Sequence, residues 1–238
     1  MTPAPTVAMV LAAGRGTRLG ALGMTTPKPL VKIGGRALLD HVLDEVAATG
    51  VQTAVVNIHH LPDQVRAHLA ARRAAPRVVL SDESDELLET GGGVVKALPL
   101  LPGDAFFVLN SDVVRPAPAT GLVRLAGAWL PDRMDFLLLL QPYDRTVGFE
   151  GAGDYRMAAD GRLHWRGTAP VAPYVYAGAL LCRRAVFDGA PSGAFSLKRL
   201  FDKAEAAGRL FGVVNDGLWL HVGSPEGIAA AEAALTMR

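Results

Sequence analysis

One cysteine in 238 residues leaves no intramolecular disulfide framework to consider. Cys182 lies inside the apolar run 174–182, where a buried, inert thiol is expected. An excess of charge is also missing. Twenty-four Lys and Arg oppose 23 Asp and Glu, for a net charge of +1, and no basic block stands out. Binding to a nucleic-acid backbone normally shows as a basic patch, so nucleic acid is not expected as a partner. Long hydrophobic runs are absent too. Mean hydropathy is +0.24, yet the longest run, 174–182, is far shorter than the ~20 residues of a spanning helix, and no membrane partner is expected. Residues 1–6 lack the positive start of a signal peptide, which points to a cytoplasmic protein. No repeat, low-complexity tract or linker interrupts the chain.

What is present is ordinary globular material, half apolar and one-fifth charged, with 26 Gly and 16 Pro to shape loops. The first half alternates short aliphatic runs with helical patterns. Residues 7–12, 51–58, 77–80, 105–109 and 136–140 read as buried strands. Helices are expected over 37–48, 62–73, 93–98 and 120–128. In the first of these, Leu38, Leu39, Val42, Leu43 and Val46 form one apolar stripe, and Gly50 is placed to stop it. After Pro142 the pattern changes. Asp160-Gly161 reads as the turn of a hairpin between 155–158 and 162–165. Strands follow at 174–182, 210–214 and 218–222, with a helix over 196–207. Ser224-Pro225-Glu226 carries a capping hydroxyl, Pro at the first helical position and a carboxylate near the positive end, and so opens a last helix. Apolar strands alternating with helices predict one α/β domain, with a mixed, mainly parallel sheet covered on both faces.

Leu11-Ala12-Ala13-Gly14-Arg15-Gly16-Thr17-Arg18-Leu19-Gly20 directly follows the first strand. Ligands of open α/β sheets bind at the carboxyl ends of strands, and small residues there let backbone amides approach phosphate oxygens. The string is not a P-loop, because no Gly-Lys-Ser/Thr follows. The spacing of Gly14, Gly16 and Gly20 does not fit a dinucleotide fingerprint either, and the second strand ends in Asn57-Ile58-His59 rather than an acid. A dehydrogenase is thereby excluded. Thr26-Pro27-Lys28-Pro29-Leu30 comes next. Proline on both sides of Lys28 predicts an extended, stiff segment. An ammonium held there, with Arg18 as a second cation, suits a triphosphate.

Leu-Ala-Ala-Gly-x-Gly-Thr-Arg-Leu followed by Pro-Lys-Pro-Leu-Val-x-Ile resembles the sugar-1-phosphate nucleotidyltransferase family. The resemblance runs almost end to end. Leu88-Glu89-Thr90-Gly91-Gly92-Gly93 with Lys96-Ala97-Leu98-Pro99, Gly193-Ala194-Phe195, and Trp219-x-x-Val222-Gly223-Ser224 look most like the N-acetylmuramate-1-phosphate uridylyltransferase branch of cell-wall recycling. The resemblance implies a single Rossmann-like, GT-A-like domain over 1–238, its nucleotide-binding part in 1–142 and its sugar-phosphate part in 143–238. It also implies magnesium as cofactor, and a nucleoside triphosphate (UTP favoured) and a sugar-1-phosphate as partners.

Phe106-Phe107-Val108-Leu109-Asn110-Ser111-Asp112 is a hydrophobic strand that ends in a carboxylate, at the sheet edge expected to hold the glycine loop. Magnesium prefers one or two carboxylates plus phosphate oxygens and water. The resemblance gives that role to Asp112, although Ser111 stands where the family has glycine. The family's second acid, just before the last helix, is replaced here by His221. Three arrangements are open. His221 ligates, weakly or through water; Asp216 or Asp154 substitutes; or Asp112 acts alone, with His221 structural. His59-His60 is not expected to bind metal, since neighbours on an extended segment point apart. Asp82, Glu83, Asp85 and Glu86 read as a solvated or helix-capping run.

The implied reaction is in-line attack of the sugar phosphate on the α-phosphorus of the triphosphate, releasing pyrophosphate. Arg18 and the amides of Gly14, Gly16 and Thr17 would hold the outer phosphates, and Lys28 with the Asp112-bound metal would hold the α-phosphoryl charge. Ala12, Ala13, Thr90 and Gly91, with Asn110, would contact the nucleotide. Asp154 and Gly178 match the region that holds the sugar phosphate. Thymidylyl or guanylyl transfer to another hexose or heptose phosphate is the alternative. A non-catalytic nucleotide-sugar sensor is a further one, suggested by the missing second acid.

Overall fold

The computed structural model describes residues 4–237; residues 1–3 of the N-terminal stretch read above, and residue 238, lie outside the described residues. Along the chain run β1 (Val7–Leu11), α1 (Ala21–Thr25), β2 (Lys32–Ile33), β3 (Arg36–Ala37), α2 (Leu38–Ala48), β4 (Thr53–Ile58), α3 (Pro62–Ala71), β5 (Arg77–Asp82) and α4 (Glu89–Ala97). The next elements are β6 (Ala105–Asn110), β7 (Val113–Val114), α5 (Gly121–Ala128), β8 (Phe136–Pro142), β9 (Tyr155–Met157) and β10 (Leu163–Trp165). The described chain closes with β11 (Tyr174–Arg183), α6 (Lys198–Ala206), β12 (Leu210–Val214), β13 (Leu220–His221) and α7 (Pro225–Thr236).

The main sheet is ordered β5-β4-β1-β6-β11-β8-β12. In this path β11 alone is reversed, antiparallel to β6 and β8; the other neighbours are parallel. The β9–β10 hairpin joins where Tyr155 faces Tyr174. Both faces are covered, so the central strands β1, β4, β6 and β8 are buried on both sides, while edge strand β5 and the β9–β10 hairpin keep exposed residues. In β1, Ala8 and Val10 enter a core with α2, α3 and α5, built on Leu39, Val42, Leu43, Val65, Leu122 and Leu125. Val7 and Met9 enter the opposite core under α4 and α6, with Val94, Ala97, Leu200 and Phe201. Cys182 is buried there, and burial pushes its thiol pKa well up, as expected for an inert thiol. A third cluster, including Ile33, Leu38, Val114, Leu220 and Ala231, packs α7 against the two small sheets β2–β3 and β7–β13.

The predicted strands and long helices are found with ends shifted by a few residues. Three differences matter for the site. Lys28 is not extended: Pro27 is (φ −63°, ψ 136°), but Lys28 opens a tight turn closed by Leu30 N–H to Pro27 O at 2.8 Å. Helix α4 begins at Glu89, four residues earlier than read, and takes in all three glycines. The short pieces α1, β2, β3 and β7, of two to five residues, lie outside the predicted elements. In β11 the register shifts between Tyr176 and Leu180, around Gly178 at φ +72°.

Candidate active site

A cleft of about 450 Å³ opens at the carboxyl ends of β1, β4 and β6, between the glycine loop and the start of α4. Ala12, Ala13, Gly14, Gly16, Thr17, Arg18, Lys28, Thr90, Asn110 and Asp112 all line it. Lys28 Nζ donates to Asp112 Oδ2 at 2.8 Å, and the two side chains are only 13% and 22% exposed. Gly16 holds the left-handed conformation (φ +64°), and a Cβ there would stand 3.2 Å from Lys28 Cβ. The loop therefore rests on the lysine turn, which a larger residue at 16 would push aside. Arg18 crosses to the far wall, its guanidinium nitrogens 3.2 Å from the place of a Gly223 Cβ. Burial alone would raise the Asp112 pKa, but the charges of Lys28, His221 and Arg18 with the Lys28 hydrogen bond outweigh it and hold the carboxyl below its ordinary value. Ser111, in the family's glycine position, donates from Oγ to Leu11 O at 2.8 Å and ties the exits of β1 and β6 together.

Pairing of β7 with β13 sets His221 opposite Val113, beside this carboxylate. His221 Nε2 lies 3.8 Å from Asp112 Oδ2. Its Nδ1 is 3.2 Å from Gly148 O. A carbonyl only accepts, so Nδ1 carries a proton and Nε2 is the nitrogen turned to Asp112. The ring stacks on Trp219 (5.8 Å, 9°), whose Nε1 donates to Ala177 O at 3.0 Å. Arg115 Nη1 donates to the same carbonyl at 2.8 Å, while its Nε binds both oxygens of buried Glu45. Of the residues considered for the missing acid's place, His221 stands beside Asp112, whereas Asp154 lines a neighbouring cleft, where it accepts from Tyr176 N–H. Asp216 accepts from Thr120 Oγ1 at 2.6 Å and Arg124 Nη1 at 3.0 Å, beside α5. Among the described residues no group of three or more His, Cys, Asp or Glu side chains is placed to hold a metal. A carboxylate oxygen and an imidazole nitrogen facing each other fit a divalent ion that takes its remaining ligands from phosphate and water.

Asn57, which lines the first cleft, and buried Glu83, which holds it, are among the residues that the sequence does not mark, as are Ser196 and Lys198. Ala12 N–H donates to Asn57 Oδ1 at 2.7 Å, Asn57 Nδ2 to Glu83 Oε1 at 2.8 Å, and Leu88 N–H to Glu83 Oε2 at 3.3 Å. Glu83 is fully buried, not solvated as its acidic neighbourhood suggested; only the capping half of that expectation describes it, through Leu88 at the start of α4. Burial raises its pKa, and the Asn57 and Leu88 bonds temper the rise. The three glycines of α4 are there for close approach. Added Cβ atoms would stand 2.3 Å from the Phe195 ring at Gly91, 2.3 Å from Gly193 O at Gly92, and 2.8 Å from Glu83 Oε1 at Gly93. Gly91 N–H donates to Phe195 O at 2.7 Å. The amides of Ala12 and Gly91 are thus taken by the protein, and the cleft wall here is Glu89 (φ +56°) and Thr90 rather than Gly91.

A second cleft of about 250 Å³ adjoins the first and shares Thr90, Asn110 and Ser196 with it. Tyr155, Trp165, Tyr176 and Phe201 give it an aromatic wall. Asp154 also lines it, accepting from Tyr176 N–H at 2.8 Å. Burial raises the Asp154 pKa, opposed by that hydrogen bond and by Arg166 and Lys198. Gly178 does not line the cleft; its missing Cβ lets β11 approach Asn110, whose Cβ would be 3.3 Å away. His59 and His60 point apart, to Glu83 O and Gly23 O.

Residues 8–206 match the MobA-like NTP transferase domain. The chain is 46% identical over 99% of both lengths to an N-acetylmuramate alpha-1-phosphate uridylyltransferase of Caulobacter vibrioides. It is 31% identical to a protein of that name from Neisseria meningitidis, over 95% of this chain and 96% of the other. Its fold is similar to that of an inositol-1-phosphate CTP transferase from T. maritima (TM-score 0.75, 19% identity, 98% of both chains), which makes the domain GT-A-like.

Proposed function

The chain belongs to the MobA-like NTP transferase family and is a sugar-1-phosphate nucleotidyltransferase, and from that premise we propose that it transfers UMP from UTP to N-acetylmuramate-1-phosphate. Both uridylyltransferase relatives carry that activity in their names. The observation that carries the site assignment is the Lys28–Asp112 pair, set within one cleft against the glycine loop.

An oxygen of the sugar phosphate attacks the α-phosphorus of UTP, the new P–O bond forms as the bond to the β-phosphate breaks, and pyrophosphate leaves. The nucleophile is already anionic, so no general base is needed; the obstacle is repulsion between two anions. Arg18 and the amides of Gly14, Gly16 and Thr17 hold the outer phosphates. Lys28 neutralises charge at the α-phosphoryl group. The shared wall of Thr90, Asn110 and Ser196 lines up the two substrates, with the sugar beside Asp154 in the second cleft. Magnesium, held by Asp112 with His221 beside it, would supply further positive charge to the phosphates. We assign residues 1–142 mainly to the nucleotide and 143–238 mainly to the sugar phosphate, although each cleft borrows from the other part: Ser196 and Gly223 in the first, Thr90 and Asn110 in the second. The same reading puts the protein in the cytoplasm, where UTP is available, in cell-wall recycling.

Released pyrophosphate from four nucleoside triphosphates crossed with a set of sugar-1-phosphates tests this. The fastest turnover is expected for UTP with N-acetylmuramate-1-phosphate. A faster reaction of GTP or dTTP with another hexose phosphate would overturn the substrate assignment.

A further inference from the structure

The second cleft has one basic side chain among its lining residues, Lys198, at the start of α6. Its ammonium lies 4.2 Å from the centroid of the Trp165 ring and pairs with Asp202 one turn along the helix. The lysine is 34% exposed and Asp202 54%. An exposed pair at this spacing contributes little, so the ammonium can exchange Asp202 for another carboxylate while Trp165 keeps it in place. The cleft's own acid, Asp154, has one oxygen bound to Tyr176 N–H and the other available to accept from sugar hydroxyls, and it repels any anion that enters beside it. A neutral sugar needs no counter-charge there.

We propose that Lys198 is the residue that selects an acceptor sugar bearing its own carboxylate. The proposal rests on the reading of the acceptor as N-acetylmuramate-1-phosphate. That sugar is N-acetylglucosamine with a lactyl ether added, so its 1-phosphate carries a second anion on the ring, away from the anomeric phosphate. With the phosphate directed at Lys28 and Asp112, the ring passes Thr90, Asn110 and Ser196 and brings the lactyl carboxylate into the cleft where Lys198 stands. Trp165 and Asp202 hold the lysine ready before the acceptor arrives.

The test measures kcat and KM with UTP for N-acetylmuramate-1-phosphate and N-acetylglucosamine-1-phosphate, in the wild type, Lys198→Met and Lys198→Arg. Lys198→Met is expected to lose ~10–100-fold in kcat/KM on the carboxylate-bearing acceptor, mostly through KM, as when a charge-assisted hydrogen bond is removed. The neutral acceptor should be unaffected, and Lys198→Arg should restore most of the selectivity. An equal loss on both acceptors, or a wild-type preference that survives in Lys198→Met, overturns the role of Lys198 and leaves the functional reading intact. A wild-type enzyme with no preference for the carboxylate-bearing acceptor overturns that reading, and this proposal with it.

Discussion

Lys28 donates to Asp112 across 2.8 Å, although 84 positions separate them in the chain. The lysine comes from a turn after the glycine loop and the aspartate from the exit of β6; parallel pairing of β1 with β6 brings the two to one edge. Each side chain suits the other's charge in the free protein, and both face the space where a triphosphate would lie.

Removing either partner should therefore disable turnover rather than folding. Lys28→Ala and Asp112→Ala are each expected to lower pyrophosphate release by at least ~10²-fold, the usual cost of losing one electrostatic stabiliser. Near-normal release by either variant would falsify the assignment.

His221 stands where the family has an acid. His221→Asp is expected to keep or raise magnesium-dependent turnover, and to shift half-activation to lower magnesium, because the ion favours oxygen over nitrogen. Complete loss of activity would show instead that the imidazole has a task of its own.

The glycines separate packing from ligand approach. Gly92→Ala would press a methyl to 2.3 Å from Gly193 O, so backbone must move. A loss of ~1–3 kcal/mol is expected, as for overpacked interiors, seen as a lowered thermal midpoint. A Cβ at Gly14 meets nothing within 4 Å. Gly14→Ala should leave the midpoint unchanged and weaken triphosphate binding, measured as a raised KM for UTP. Unchanged KM would remove Gly14 from the phosphate site.

Buried Glu83 gives a pH signature with a definite sign. Burial raises its pKa above the ordinary 4.5, so its contribution to stability is complete below that value and is lost as pH rises through the raised one. Glu83→Gln has no such titration. The stability of the variant relative to the wild type, from urea unfolding at several pH values, should improve as pH rises from about 4.5. A relative stability that is flat or falls with pH would show that Glu83 is not held in this way.

Much of the arrangement was legible along the chain. The apolar stripe of α2, the hairpin at Asp160-Gly161 and the Ser224 cap of α7, which accepts Gly227 N–H at 3.2 Å, all depend on residues close in sequence. The glycine loop, Lys28 and Asp112 were visible because their residue types are unusual at the end of an apolar strand. Glu83 was misread because burial is not a local property: its acidic neighbours are exposed while it turns inward to Asn57.

Sequence by itself determined the alternation of elements, the two apolar faces of the sheet and the residue types available to a triphosphate. Tertiary structure alone decided which of them meet. The register of β7 on β13 put His221, and not Asp216, beside Asp112. The contact of α4 with Phe195 took the Gly91 amide, and the shared wall of Thr90, Asn110 and Ser196 joined two clefts built from distant segments. Such contacts are fixed by packing across tens of residues, and no periodicity or spacing in the chain records them.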